Sequence, residues 1–177
     1  MEYTFVMLRP GAFRRDLEEY IIDRIYEIGL DIEYLKRKRL TPEFIEKHYA
    51  HLLDKSIPKD VFTRTAIENL SGPVVGMIVS GEDAIKKMRQ LIGPGNVKKA
   101  KEEFPNCIRA LGDPNNNPDN LIHASDSYES AIIEIRRFFN IDITNKEERE
   151  KYFRKFYNQK KYKKILNYIK DDYNSIL

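Results

Sequence analysis

One cysteine, Cys107, is all that the 177 residues contain. A single thiol excludes an intrachain disulfide framework and a cysteine zinc cluster. Histidine is almost as scarce, with only His48, His51 and His123. No apolar run approaches the roughly 18 residues of a membrane span. Met1-Glu2-Tyr3 opens neither the basic region nor the long apolar region of a signal peptide. There is no Walker-type glycine-rich phosphate loop and no internal repeat. Charge of one sign is also lacking: 31 Lys+Arg stand against 28 Asp+Glu, a net charge of +3. That balance does not mark a nucleic-acid binder. What is present is 41% apolar residues, enough for the core of one ordinary domain. A cytoplasmic globular protein with no membrane partner is the expectation.

The small positive excess is unevenly placed. Residues 141–177 hold 10 Lys+Arg and 6 Asp+Glu, leaving 21 and 22 in residues 1–140. The same stretch has no Gly and no Pro. The composition therefore predicts a domain over 1–140 and a basic helical extension over 141–177.

Periodicity supplies the elements. Tyr3–Leu8 is a β-branched and aromatic run stopped by Pro10-Gly11, a strand signal. Leu17, Ile21, Ile25 and Ile28 recur at helical spacing, with Gly29 as C-cap. A second strand begins at Leu30, and its later part, Lys36–Arg39, reads as solvent-facing or as a sheet edge. Thr41-Pro42-Glu43 is an N-cap, a Pro at the first helical position and an acid in the first turn. The helix it opens should run to about His51, with another over 59–70. Pro73–Ser80 reads as a buried strand, and Asp83–Ile92 as a helix closed by Gly93. Residues 94–120 look irregular, Leu121–His123 form a very short strand, and Ser127 caps a helix reaching Phe139. The tail reads as two helices. In the second, Tyr162, Ile165, Leu166, Ile169 and Tyr173 form a stripe against a lysine face, the pattern of a helix packed on the domain or on a neighbouring subunit. The element order implies an α+β class: a ferredoxin-like, split βαβ antiparallel four-stranded sheet covered by helices, with a C-terminal helical extension.

His48 and His51 lie at i, i+3 on one helix, a spacing that can ligate a metal. No other His or Cys clusters beside them in sequence, so surface or core histidine is the plainer reading. His123 differs. It ends an apolar strand directly before a helix N-terminus, where backbone N–H groups gather anions.

The residues around His123 carry more. Asn120-Leu121-Ile122-His123-Ala124-Ser125-Asp126 resembles the active-site signature N-x-x-H-[GA]-S-D of nucleoside diphosphate kinases. Tyr3–Ala12 is similar to the family's first strand and K-P-[DG]-A turn, and Leu40–Ala50 to its second helix. Ser71–Val75 is similar to its third strand. Arg89 followed by Gly93-Pro94-Gly95-Asn96 resembles R…G-x-T-N, Ile108-Arg109 resembles I-R-G, and Ser130-Ala131 with Glu134 resembles the closing helix. The likeness covers about the first 139 residues in order.

The resemblance implies transfer of the γ-phosphoryl group of a nucleoside triphosphate to a nucleoside diphosphate, in ping-pong fashion through a phosphohistidine at His123. It implies that Glu134 hydrogen-bonds the imidazole and fixes its tautomer. Arg89 and Arg109 match arginines on the distal phosphates, and Asn120 an asparagine near the ribose and phosphates. Tyr49 matches a tyrosine near the histidine and terminal phosphate, and Arg9 stands where the family has a catalytic lysine. Mg²⁺ is expected to ride on the nucleotide and not on a protein metal site. A dimer-based homo-oligomer, up to a tetramer or hexamer, is implied by the family's pairing of second strands.

The sequence departs from the pattern in places. Arg9 keeps the charge of the family's lysine but is planar and bulkier. Gly95 replaces a threonine, removing one hydroxyl from the nucleotide site. The aromatic that stacks on the base aligns with Val61, with Phe62 next to it; either Phe62 replaces it or the base is held less firmly. Asp119 stands where an arginine is usual. These changes favour, as the alternative, a low-activity nucleotide-binding member that acts as a sensor or scaffold. A nucleic-acid-binding protein using the basic tail is the third possibility.

Overall fold

In the computed structural model the described residues are 1–49, 70, 72–114 and 120–157, with Tyr49 and 154–157 described by backbone alone. Four strands, β1 (Glu2–Leu8), β2 (Asp31–Arg39), β3 (Pro73–Gly81) and β4 (Ile122–Ala124), form one sheet in the order β2-β3-β1-β4. Every neighbouring pair is antiparallel. β3 splits β1 from β2 and β1 splits β3 from β4, so two split βαβ units interlock. This is the α+β, four-stranded antiparallel architecture that the element order implies.

Alternation along β1 divides the core. Val6 and Leu8 face one side, with Ile21, Ile22 and Ile25 of α2 (Glu18–Glu27) and Met88, Leu91 and Ile92 of α4 (Ala84–Ile92). The short α1 (Pro10–Phe13) joins this side through Ala12 and Phe13. Phe5 and Met7 face the other side, with Ile45 of α3 (Pro42–Tyr49) and Ile135, Phe138 and Phe139 of α6 (Tyr128–Phe139). The second side comes so close that a Cβ on Gly76 of β3 would lie 2.4 Å from the Phe138 ring. Glycine lets that ring approach the strand closely.

The caps follow their chemistry. Thr41 Oγ1 accepts from the Phe44 amide at 3.2 Å, and Ser127 Oγ accepts from the Ser130 amide at 3.1 Å. Gly29 sits at φ +76°, in the left-handed region that ends helices.

One expectation needs correction. Residues 94–120 are not irregular throughout: α5 (Val97–Glu103) and a 3₁₀ turn (Ile108–Leu111) lie within them. Asn96 caps α5, accepting from the Lys99 amide at 2.9 Å. The helix lacks an apolar stripe because only Val97 and Ala100 are buried. The late part of β2 is a sheet edge, yet not all solvent-facing: Arg37 is 8% exposed. Lys38 reaches across to donate to the Phe138 carbonyl at the end of α6.

The compositional break at 140 is a helix C-cap, Asn140 at φ 58°. Packing continues past it, for Ile141 and Ile143 are buried in the second core. α7 (Lys146–Tyr157) then lays Tyr152 and Phe153 against that core. Tyr152 meets Tyr34 at 5.8 Å between ring centroids, and Phe153 meets Tyr3 at 5.6 Å. The expected helix over 59–70, apart from the helical and buried Leu70, and the second tail helix lie outside the described residues, as does His51. Among the described residues no helix is long and apolar enough to cross a membrane.

Candidate active site

β4 is three residues long, and its alternation sets the site. Ile122 and Ala124 enter the first core, so His123 must face the other side of the sheet. It pairs with Met7 of β1. There its ring lies 5.9 Å from that of Phe5 and 5.1 Å, edge to face, from that of His48 on α3. Glu134 stands on the inward face of α6, 5% exposed. Nε2 of His123 is 3.0 Å from both Glu134 carboxylate oxygens. Ser125 Oγ donates to Glu134 Oε2 at 2.6 Å. Ser125 is itself fixed to β1, where the Phe5 amide donates to its Oγ at 3.3 Å and its own amide donates to the Phe5 carbonyl at 3.0 Å.

The electrostatics decide the protonation states. Burial disfavours the charge on Glu134, but the hydrogen bonds from His123 and Ser125 win and hold its carboxyl below the ordinary value. Burial lowers the pKa of His123. Glu134 pulls it upward, the charges of Arg9 and Arg109 push it down, and the net shift is downward. At neutral pH the site therefore holds a carboxylate and a neutral imidazole. A carboxylate only accepts, so the imidazole proton sits on Nε2 and the lone pair on Nδ1.

Arginines clamp the outer edge of β4. Arg109, 4% exposed, donates from Nε to Asn120 Oδ1 at 3.0 Å and from Nη2 to the Ile122 carbonyl at 3.1 Å. Its Nη1 donates to the Gly93 carbonyl at 2.8 Å, tying the strand to the end of α4. Asn120 Oδ1 also accepts from the Ile122 amide at 3.4 Å. Arg89 Nη1 donates to the Ala124 carbonyl at 3.3 Å. On the inner edge, the Arg9 amide donates to the Leu121 carbonyl at 2.9 Å.

The family model for nucleoside diphosphate kinase matches residues 2–144. The chain belongs to the nucleoside diphosphate kinase family. The nucleoside diphosphate kinase of Methanocaldococcus jannaschii is 40% identical over 142 residues, which are 80% of this chain and 95% of that protein. That of Aquifex aeolicus is 39% identical over 142 residues, 79% of this chain and 95% of its own. Among solved structures, the Aquifex aeolicus kinase superposes with a TM-score of 0.69 at 37% identity, covering 78% of this chain and 94% of that one. The apo crystal structure of the kinase from Encephalitozoon cuniculi gives 0.71 at 34% identity, covering 81% and 92%. The family is one of phosphotransferases that act on nucleotides.

Of the site residues named from sequence, the nucleoside diphosphate kinase fold brings His123, Glu134, Arg109, Asn120 and Arg89 onto or against β4. The guanidinium of Arg9 is close enough to His123 to lower its pKa. Gly95 lies beyond the C-terminal end of α4, where a Cβ would meet nothing within 4 Å. The backbone of Tyr49 ends α3 directly after His48, while its side chain, and the whole of Phe62, Val61 and Asp119, lie outside the described residues.

Two residues of the constellation are not linked to His123 in the sequence reading. Ser125 was visible as part of the signature, but its bond to Glu134 depends on the register of β4 against β1. His48 is wholly buried, stacked on Phe44 with centroids 5.6 Å apart, and its pKa is pushed down to about 3 by burial and by His123. Its closeness to His123 spans 75 positions of chain, and nothing local announces it.

Proposed function

We propose that this chain acts as a nucleoside diphosphate kinase by ping-pong transfer through His123. The observation that carries this reading is the pairing of His123 Nε2 with Glu134, 3.0 Å to each carboxylate oxygen. It leaves the Nδ1 lone pair as the nucleophile. Nδ1 attacks the γ-phosphorus of a nucleoside triphosphate, the bond to the bridging oxygen breaks, and the diphosphate leaves. The phosphorylated ring gains positive character, which the Glu134 carboxylate stabilises through Nε2–H. A second nucleoside diphosphate takes the phosphoryl group by the reverse path. Ser125 keeps Glu134 from rotating away.

Transfer of this kind depends on positioning and charge more than on proton movement. Arg89 and Arg109 would meet the distal phosphates from fixed mounts on β4, with Arg9 facing the terminal phosphate. Asn120 would reach the ribose and phosphates, Tyr49 the terminal phosphate, and Phe62 the base, with Gly95 bordering the nucleotide. The protein donors around His123, two imidazoles and one carboxylate, do not suit Mg²⁺, which takes oxygen ligands. Magnesium would therefore arrive as part of the nucleotide substrate. A cytoplasmic, dimer-based homo-oligomer and the division of the chain into 1–140 and 141–177 complete the reading.

The test is phosphoryl capture. The protein is mixed with Mg-ATP, freed of nucleotide and examined for an acid-labile adduct on His123, then chased with GDP. Adduct followed by GTP is the expected result, absent in His123→Ala. Nucleotide binding without an adduct would instead favour a sensor or scaffold.

A further inference from the structure

We propose that His48, His123 and Glu134 together bind a borderline transition-metal ion of the Zn²⁺ type, and that the bound ion silences His123 as a nucleophile. Three elements converge here, α3, β4 and α6. One ligand atom from each residue lies within 4.8 Å of the others. Two imidazoles with one carboxylate form a donor set suited to zinc and its neighbours. Metal–ligand bonds of about 2.0–2.2 Å require the trio to close by roughly an ångström. The pair His123–Glu134 is already at 3.0 Å. Ser125 supplies the outer hydrogen bond that orients a ligating carboxylate. The His123 side chain is 13% exposed, so the trio is not sealed from solvent.

The chemistry conflicts with phosphoryl transfer. At rest Nε2 carries the proton and Nδ1 the lone pair. An ion bonding to Nε2 takes the lone pair there once its proton leaves, and that proton transfers through water to Nδ1. The ring remains neutral and no oxidation state changes. Nδ1 now bears hydrogen and has no pair to offer phosphorus. The same contact that prepares the nucleophile thus becomes the point at which a metal cancels it. This consequence rests on the kinase reading above, whereas the metal site rests on the geometry alone.

The full-length protein, stripped with chelator and held in excess Mg²⁺, is titrated with ZnCl₂ by calorimetry and with CoCl₂ by visible absorption. The expected result is one ion per chain, with intense visible bands of low-coordinate cobalt. His48→Gln and Glu134→Gln should each weaken binding about tenfold or more. Circular dichroism checks that the variants fold. In the unaltered protein the histidine ring resonances of His48 and His123 should shift together on zinc addition, which needs no variant. Failure of the unaltered protein to bind at micromolar zinc overturns the site, as does unchanged affinity in folded His48→Gln. Phosphoryl capture is run in parallel with and without stoichiometric zinc. A roughly tenfold or greater loss of adduct, reversed by chelator, is expected. Zinc bound with the adduct undiminished overturns the silencing. Zinc bound by a protein that forms no adduct even in zinc-free buffer supports the site and removes the kinase reading instead.

Discussion

Burial and a carboxylate pull His123 in opposite directions, and burial wins. The ring therefore stays neutral to lower pH than an ordinary histidine, so the acid limb of the pH–rate profile should lie below about pH 6.5. The individual charges predict how it moves. Arg9→Met removes a group that lowers the His123 pKa, so the limb should shift to higher pH. Glu134→Gln removes a group that raises it, so the limb should shift lower. The rate in Glu134→Gln should also fall by something on the order of 100-fold as the ring loses its orientation. Pre-steady-state adduct formation against pH checks both signs. His48 makes a second residue-scale prediction, this one on stability. Its folded pKa of about 3 lies well below the value near 6.5 of the unfolded chain. Between these values the unfolded state takes up the proton first, so stability is full above about pH 6.5 and declines as pH falls toward 3. Each pH unit in that window removes up to about 1.4 kcal/mol. His123, shifted the same way, adds to the slope. His48→Phe keeps an aromatic ring but no titrating group, and urea midpoints should depend less steeply on pH between about pH 5 and 6.5.

At the scale of elements, the site depends on how closely α6 approaches the sheet. Phe138 rests where a side chain of β3 would be, so Gly76→Ala should cost about 1–3 kcal/mol and push α6 outward. Since Glu134 rides on the same helix, activity should fall with stability. Phe138→Leu in the Gly76→Ala background should recover part of both, with a coupling of about 1 kcal/mol or more in a double-mutant cycle by chemical denaturation. The elements were unequally legible in the sequence. α2, α4 and α6 announced themselves through apolar stripes, and the short motif around His123, with Glu134 on the following helix, was local enough to single out two residues that the fold brings together. α5 had its capping Asn96 but almost no buried face, so periodicity missed it. Arg37 looked like surface because charge is ordinarily exposed, and only the position of β2 against its neighbours buries it. His48 was read as a surface or a core histidine; its companions come from β4 and α6, and tertiary proximity has no signature in spacing.

The whole molecule extends the packed core beyond the family match, which ends at residue 144. Ile141 and Ile143 anchor the chain as it leaves α6, and α7 adds Tyr152 and Phe153 over Tyr34 and Tyr3. Phe153→Ala should therefore lower global stability by about 1–3 kcal/mol, measured by thermal unfolding. It should leave the pH dependence of adduct formation unchanged, because α7 supplies no described group to the site.

The arginine clamps on β4 have a thermodynamic consequence. A long side chain of this type carries about 2 kcal/mol of rotamer entropy when unrestrained. Arg89 and Arg109 give up part of that freedom when the chain folds, by fastening to the carbonyls of Ala124, Ile122 and Gly93. A nucleotide meeting these two guanidinium groups would find much of their ordering already complete. Binding should then show a smaller entropic penalty than the number of charged contacts implies. Arg109→Lys would lose that advantage even with its charge intact, because the three donors of an ammonium radiate from one nitrogen and cannot span the points that the guanidinium reaches from three nitrogens.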